Sequence, residues 1–502
     1  MKQTIVRLLM LLLVLCMTST ALVACGDEKE KTDTGDNTVT DAPDENYSFP
    51  ATITLSDKEL NIFNFDEFYN AIIFTDTEEY GDKVSEAVYD RNAYFYDRYK
   101  VDVVENKFDF TGFPPATTHL TNLRNAGDDI YDITYVSLSE QYALVSSGVL
   151  TDLNTVSTLN LDAEWWDLQL STSYVLKDGR QYVASSALNL MPYEMTWLLF
   201  FNQNMAEVKG VPNLFEIVRN GEWTIEKLLS TVKDCGIITE NAEGGYTFEA
   251  AGTATYGIAL HHVTPSRMIN GFDISFIQPQ DKEDQPYKFA CSNTDAFTKA
   301  NEWLMELCTR ETGMAIGSDI EDDPIGHPEG YVPVFNSNRA LFLHAELKSG
   351  MTLKKIYESE IFYGMLPQPK YNTDQKNYYT TTASQLMLFA IPTMNDEAEA
   401  TGTAADVLSY LSYRDLLPVY YGDYVSHRNV NDPDSLEMLN DYIMPGRRLD
   451  IGEIYGWTKS FIESYQLVIY KQQEQGGMSF GNMINSSTTR AINVEIKNFF
   501  KK

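Results

Sequence analysis

Two periods of apolar recurrence divide most of this chain between strands and helices. Leu60–Phe65 and Ala71–Phe74 are short apolar runs with strand character, and from Asp82 onward Val84, Ala87, Val88, Phe95 and Tyr99 fall on one helical stripe. Val101–Val104 then predicts a strand, Thr117–Asn125 a helix, and the run Ile130–Val136 another strand. This alternation predicts a mainly parallel sheet covered on both faces.

Further on, Met195–Phe201 is an apolar run ended by Asn202, Pro212 marks a turn, and Trp223-Thr224 opens a helix. In that helix Ile225, Leu228, Leu229 and Val232 keep the spacing of one face, Thr224 is a suitable N-cap, and Gly236 can close the end. Thr255–Leu260 reads as a short strand and Asn293–Thr309 as a helix. Tyr378–Ala390 predicts one more strand, and Ala404, Val407, Leu408 and Leu411 mark the helix after it. From Pro418 to Lys502 no strand is predicted, only helices and loops.

A chain of 502 residues exceeds one ordinary core, so two or more lobes are expected. Its 43% hydrophobic and 22% charged content is that of a globular protein. The net charge of −34 repels nucleic acid and anionic membrane faces, which removes both as partners.

At the N-terminus, Lys2 and Arg7 precede the apolar run Leu8–Met17, which has the length of a signal-peptide core and falls short of the roughly 20 residues that span a bilayer. Leu22-Val23-Ala24-Cys25 follows and resembles the bacterial lipobox, in which the cysteine becomes the mature N-terminus and carries acyl chains. Residues 1–24 are therefore expected to be a lipoprotein signal peptide, and 25–50, acidic and rich in Ser, Thr and Asp, a disordered tether. Cys235, Cys291 and Cys308 are too few for a disulfide framework, though one pair with an odd thiol fits.

The order of elements from Lys177 to Cys235 resembles the middle of the extracellular solute-binding proteins that feed ABC importers, in particular their sugar-binding, family 1 branch. YDITYVSLSEQYALVSSGVLTDLN, residues 131–154, resembles a second segment of that family, and Asn338–Glu346 and Phe362–Pro369 resemble two of its strands. The resemblance implies an α/β, two-lobed periplasmic-binding-protein-like fold (type II), with discontinuous lobes and hinge crossovers near Leu188–Met195 and Leu366–Gln385. Lobe 1 would comprise residues 51–187 and 378–415, lobe 2 residues 188–377, and 416–502 would pack on both as a mostly helical segment. It also implies a function: capture of a small extracellular solute by cleft closure and delivery to ABC permease membrane subunits, with no bond broken.

Candidate chemistry narrows this little further. No phosphate-binding glycine loop, dinucleotide fingerprint, zinc helix motif or nucleophile elbow occurs, and the adjacent His261 and His262 cannot both face one metal from a strand. No metal, cofactor or catalytic residue is expected. The 12% aromatic content suits a sugar cleft, because sugar C–H faces pack on aromatic planes while hydroxyls need polar partners. Ligands of open α/β sheets sit beyond the carboxyl ends of strands, which selects Ser139, Glu140 and Tyr142. Trp166 is a candidate stacking platform beside Trp165, and Glu194, Trp197 and Tyr378 stand at the implied crossovers. His344 and Glu346 hold the position where the family's sugar binders often place a stacking residue, although no aromatic stands at 344–347 here. Trp457 resembles in position a tryptophan that covers bound sugar in some members. For each aromatic, burial in the core is the competing reading, and Trp223 reads as a hydrophobic staple before its N-cap.

The expected protein is thus a monomer on the outer face of the cell membrane, held to the bilayer through Cys25. The residues themselves leave the solute open among sugars, peptides and polyamines, with carbohydrate favoured by the resemblance. A surface-anchored glycan hydrolase, or an adhesion or scaffold lipoprotein without a ligand, are the alternatives.

Overall fold

The computed structural model describes residues 46–65, 82–108, 115–233, 255–308, 315–317, 331–350, 361–382, 386–426, 432–470 and 486–501. Cys25, the run Ala71–Phe74, Cys235 and the helix end at Gly236 lie outside them.

Eleven strands are described: β1 Glu59–Phe65, β2 Asp102–Phe108, β3 Ile133–Ser137, β4 Trp197–Asn202, β5 Tyr256–Leu260, β6 Ile277–Pro279, β7 Tyr287–Phe289, β8 Ala315–Gly317, β9 Ala340–Glu346, β10 Tyr363–Leu366 and β11 Met387–Ala390. They form two main sheets and one hairpin. The first sheet has the order β11-β3-β1-β2, the second β10-β4-β9-β5-β8, and β6 pairs only with β7.

In the first sheet β1 lies parallel to β2 and β3, as the strand and helix alternation predicts. Leu60, Ile62, Phe63 and Phe65 of β1 are all buried, so this strand is covered on both faces. The helix Asp82–Tyr99, with Val84, Val88, Phe95 and Tyr99 buried, lies between β1 and its parallel neighbour β2, and the helix Pro115–Ala126 carries the chain from β2 past β1 to β3. Strand β11 then closes the β3 edge antiparallel, from far along the chain.

The second sheet is mixed. β5 is parallel to β8 and β9, but β4 runs antiparallel to both β9 and β10. Helices begin where capping chemistry allows. Asn202 at the end of β4 accepts from the Met205 amide to start the helix Gln203–Lys209, and Asn293 accepts from the Ala296 amide to start the helix Thr294–Leu307. Thr224 Oγ1 accepts from the Lys227 amide at 3.3 Å, as its N-cap reading requires.

Between the sheets the chain crosses in neighbouring segments. Thr196, just before β4, pairs with Thr382, and the Trp197 amide donates to Thr381 O at 3.0 Å. A third segment joins them: Thr380 N donates to Gly446 O at 2.9 Å, and Arg448 N donates to Thr380 O at 3.0 Å. The strand expected over Tyr378–Ala390 is therefore confined to Met387–Ala390, because Tyr378–Thr382 serves the crossover and bonds to partners from two other segments. The C-terminal part is helical, as expected, and includes Lys459–Tyr470 and Ser486–Phe499. Among the described residues no helix is long and apolar enough to cross a membrane.

Candidate functional site

A cavity of about 190 Å³ lies beyond the carboxyl ends of strands from both sheets. Leu138 and Ser139, directly after β3, form one wall; His262, Val263 and Arg267, directly after β5, form the facing one. Glu453, Gly456, Lys459, Ile462, Glu463 and Gln466 from the C-terminal helices complete the lining. Open α/β sheets place their ligand sites at this end of the strands, because there the loops diverge.

The polar groups of the wall are unequally engaged. Ser139 Oγ shares a hydrogen bond of 2.9 Å with Ser137 Oγ. Gln466 Oε1 accepts from Ser266 Oγ at 2.9 Å. Arg267 and Glu453 form an ion pair at 3.0 Å, with side chains only 4% and 7% exposed, and Asn270 Nδ2 donates to the other Glu453 oxygen at 3.0 Å. Asp450 caps the turn Ile451–Ile454 by accepting from the Gly452 amide, and also accepts from the Phe276 amide. Burial, and then the Glu453 charge, push its carboxyl up to about 6.

The expected site residues fall into three groups. Ser139 lines the cavity. Glu140 is buried beside it but accepts from Thr117 N at 2.9 Å and Thr117 Oγ1 at 3.0 Å, so it holds the start of the helix Pro115–Ala126; burial raises its carboxyl. Tyr142 stacks on Phe499 with ring centroids 6.2 Å apart.

A second group gathers in the second sheet behind the Arg267 wall. The Trp197 and His344 rings are 4.9 Å apart, on the paired strands β4 and β9. His344 Nδ1 shares a hydrogen bond of 3.0 Å with Thr264 Oγ1, and burial, with Arg267 nearby, lowers its imidazole to about 3, so it is neutral at physiological pH. Glu346, at the end of β9, is raised by burial and lies 3.6 Å from Lys348 Nζ.

The third group is packed inside the protein. Trp166 is completely covered; its indole N–H and that of Trp165 both donate to Asp406 Oδ1, at 2.8 and 2.9 Å, because the pair sits in a tight turn, Glu164–Trp166, rather than on a helix where the rings would diverge. Glu194 ends a buried helical turn, Met191–Glu194, and does not enter β4 at an exposed lip. Tyr378 donates to Val218 O at 3.0 Å and packs on Tyr442. Trp457 belongs to an aromatic cluster with Tyr455, Tyr287, Phe499 and Phe500. Trp223 is fully buried, its N–H donating to Pro367 O at 3.0 Å.

Among the described residues that line the cavity there is no tryptophan, tyrosine or phenylalanine, and the candidate stacking residues Trp166, Trp197, Tyr378 and Trp457 lie elsewhere. Arg267 and Glu453 were not apparent from sequence. Arg267 stands among polar residues in Thr264–Gly271, so the sequence gives no sign that this whole helix is buried and that its one charge has to find a partner. Among the described residues no group of histidine, cysteine and acidic side chains is placed to hold a metal ion.

No protein-family model matches this chain, and no curated protein does. Solved structures are similar to it along most of its length. The galacto-N-biose-/lacto-N-biose I-binding protein of the ABC transporter from Bifidobacterium longum, in complex with lacto-N-biose, superposes with a TM-score of 0.54 at 11% identity, covering 88% of this chain and 97% of that one. The GacH receptor of Streptomyces glaucescens gives 0.52 at 11% identity, over 88% of this chain and 98% of its own. An ABC transporter solute-binding protein from Thermotoga lettingae, bound with α-D-tagatose, gives 0.52 at 13% identity, over 87% and 99%. The chain has the two-lobed α/β fold of periplasmic binding proteins.

Proposed function

We propose that this chain is the solute-binding component of an ABC importer, lying outside the cytoplasm and tethered to the membrane by a lipidated Cys25. It captures a small solute, with carbohydrate as the leading class, between lobe 1 (residues 51–187 and 378–415) and lobe 2 (residues 188–377). The closed form is handed to the permease and the solute leaves unchanged. One observation carries this reading: the carboxyl ends of β3 and β5, from separate sheets, face one cavity, while the chain crosses between those sheets in hydrogen-bonded neighbouring segments. Such a layout lets a ligand favour closure, since only the closed form engages both walls. The sugars bound by the similar structures support carbohydrate. A hydrolase reading has less support, because it needs two carboxyl groups about 5–9 Å apart and free to act, whereas Glu453 is engaged by Arg267 and Asn270.

The test is a melting-temperature screen of the protein against sugars, peptides and polyamines. A true ligand at 100 times its Kd adds about 2.7 kcal/mol of stability, and small-angle scattering on the hit should show compaction. Turnover of a glycan, or no response to any member of the three classes, overturns the reading.

A further inference from the structure

Behind the cavity, three polar atoms on adjoining elements have hydrogen-bonding capacity that no described residue uses: Arg267 Nε, His344 Nε2 and Trp197 Nε1. Their residues are linked, although of the three only Arg267 lines the cavity. The His344 and Trp197 rings lie 4.9 Å apart, Thr264 of the Arg267 helix bonds His344 Nδ1, and Arg267 carries the group to the cavity wall. Buried polar atoms are almost always paired, so neighbouring unpaired ones beside a cavity indicate a receiving site for an external partner. Among the described residues the guanidinium is bonded through Nη1 alone, to Glu453 Oε2 at 3.0 Å, which fixes the fork in place and leaves donors over.

Resting on the solute-binding reading above, we propose that Arg267 is the specificity-determining ligand donor of this site, backed by His344 and Trp197, and that the group it receives is an uncharged oxygen. The charge balance selects the uncharged oxygen. Glu453 already compensates the buried Arg267 cation, and His344 stays neutral, so a ligand carboxylate would enter the wall as a second, uncompensated anion. A hydroxyl, ring or carbonyl oxygen accepts from the fork without adding charge. At the rim Lys459 and Glu463 are of opposite sign and add no net preference.

The test uses the full chain and isothermal titration with D-tagatose, lacto-N-biose and D-galacturonate. Arg267→Lys keeps the charge opposite Glu453 but removes the fork, and should weaken a neutral sugar about tenfold or more. His344→Asn, which can keep the Thr264 bond and drops Nε2, should weaken it about threefold or more. Should the lysine variant fail to fold, His344→Asn and Trp197→Phe carry the test. Variants that bind within about twofold of the parent, or a parent that prefers D-galacturonate, overturn this assignment while the solute-binding reading stands. A parent that binds none of the three while the wider screen yields only peptides or polyamines overturns the assignment and the carbohydrate class together; no response to any class sinks the solute-binding reading itself.

Discussion

Arg447 and Arg267 are both buried cations facing one carboxylate, and they differ in what is left over. Arg447 donates to Asp167 through Nη1 at 2.9 Å and Nη2 at 2.6 Å, its Nε to Met444 O at 3.3 Å, and its face covers the Tyr193 ring at 4.8 Å. It sits where the crossing segments meet, and its donors are engaged there. Arg267, at the cavity, meets Glu453 through Nη1 alone and keeps an unpaired Nε. The same residue type is a structural clasp in one place and a receptive group in the other; the distinction lies in unmet hydrogen bonds, not in burial or charge.

The largest expected effect tests the clasp. Arg447→Ala leaves Asp167 buried without its partner and should cost about 3–5 kcal/mol in urea unfolding; a loss below about 1 kcal/mol would remove the contrast. Next comes the acid beside the Arg267–Glu453 pair. Asp450 lies close enough to Glu453 to feel its charge, and its carboxyl is raised from 3.8 to about 6. Because the folded value is above the ordinary one, the folded protein holds that proton more tightly than the unfolded chain. The resulting stabilisation is complete below about pH 4 and is lost as pH rises through 6, about 2–3 kcal/mol in all. Relative to Asp450→Asn, the parent should lose that amount of stability over this range, and a flat difference would mean the carboxyl is ionised throughout. Exchange for lysine then separates the two arginines directly: about 1–3 kcal/mol lost at Arg447, where a two-pronged pair is broken, and less at Arg267, where one N–H is engaged. Equal losses in chemical denaturation would contradict the comparison. Smallest is Ser139→Ala on the opposite wall. Its hydroxyl is already held by Ser137, so affinity for a neutral sugar should change about twofold or less; a tenfold loss would move the main donor to the first sheet.

The elements were legible because local pattern decides them. The stripe from Val84 to Tyr99, the apolar runs that became β1, β4 and β9, and the Thr224 cap all declare themselves within a few residues. The direction of each candidate side chain was not, since it depends on partners far along the chain. Trp166 is turned inward by Asp406, Tyr378 by Val218, and Glu140 by Thr117. Trp197 was singled out at the implied crossover and His344 by its place in a family strand, whereas Arg267, which the fold brings near them, follows a different strand, and nothing local links it to them.

The first sheet is finished by β11, whose pairing with β3 waits for residues 387–390. Because β11 lies far along the chain from β3, that side of β3 stays open until the long intervening segment has come into place. An open edge of buried Ile133, Tyr135 and Val136 is a template for joining another chain. An edge left open in this way has to meet β11 before it meets a second chain.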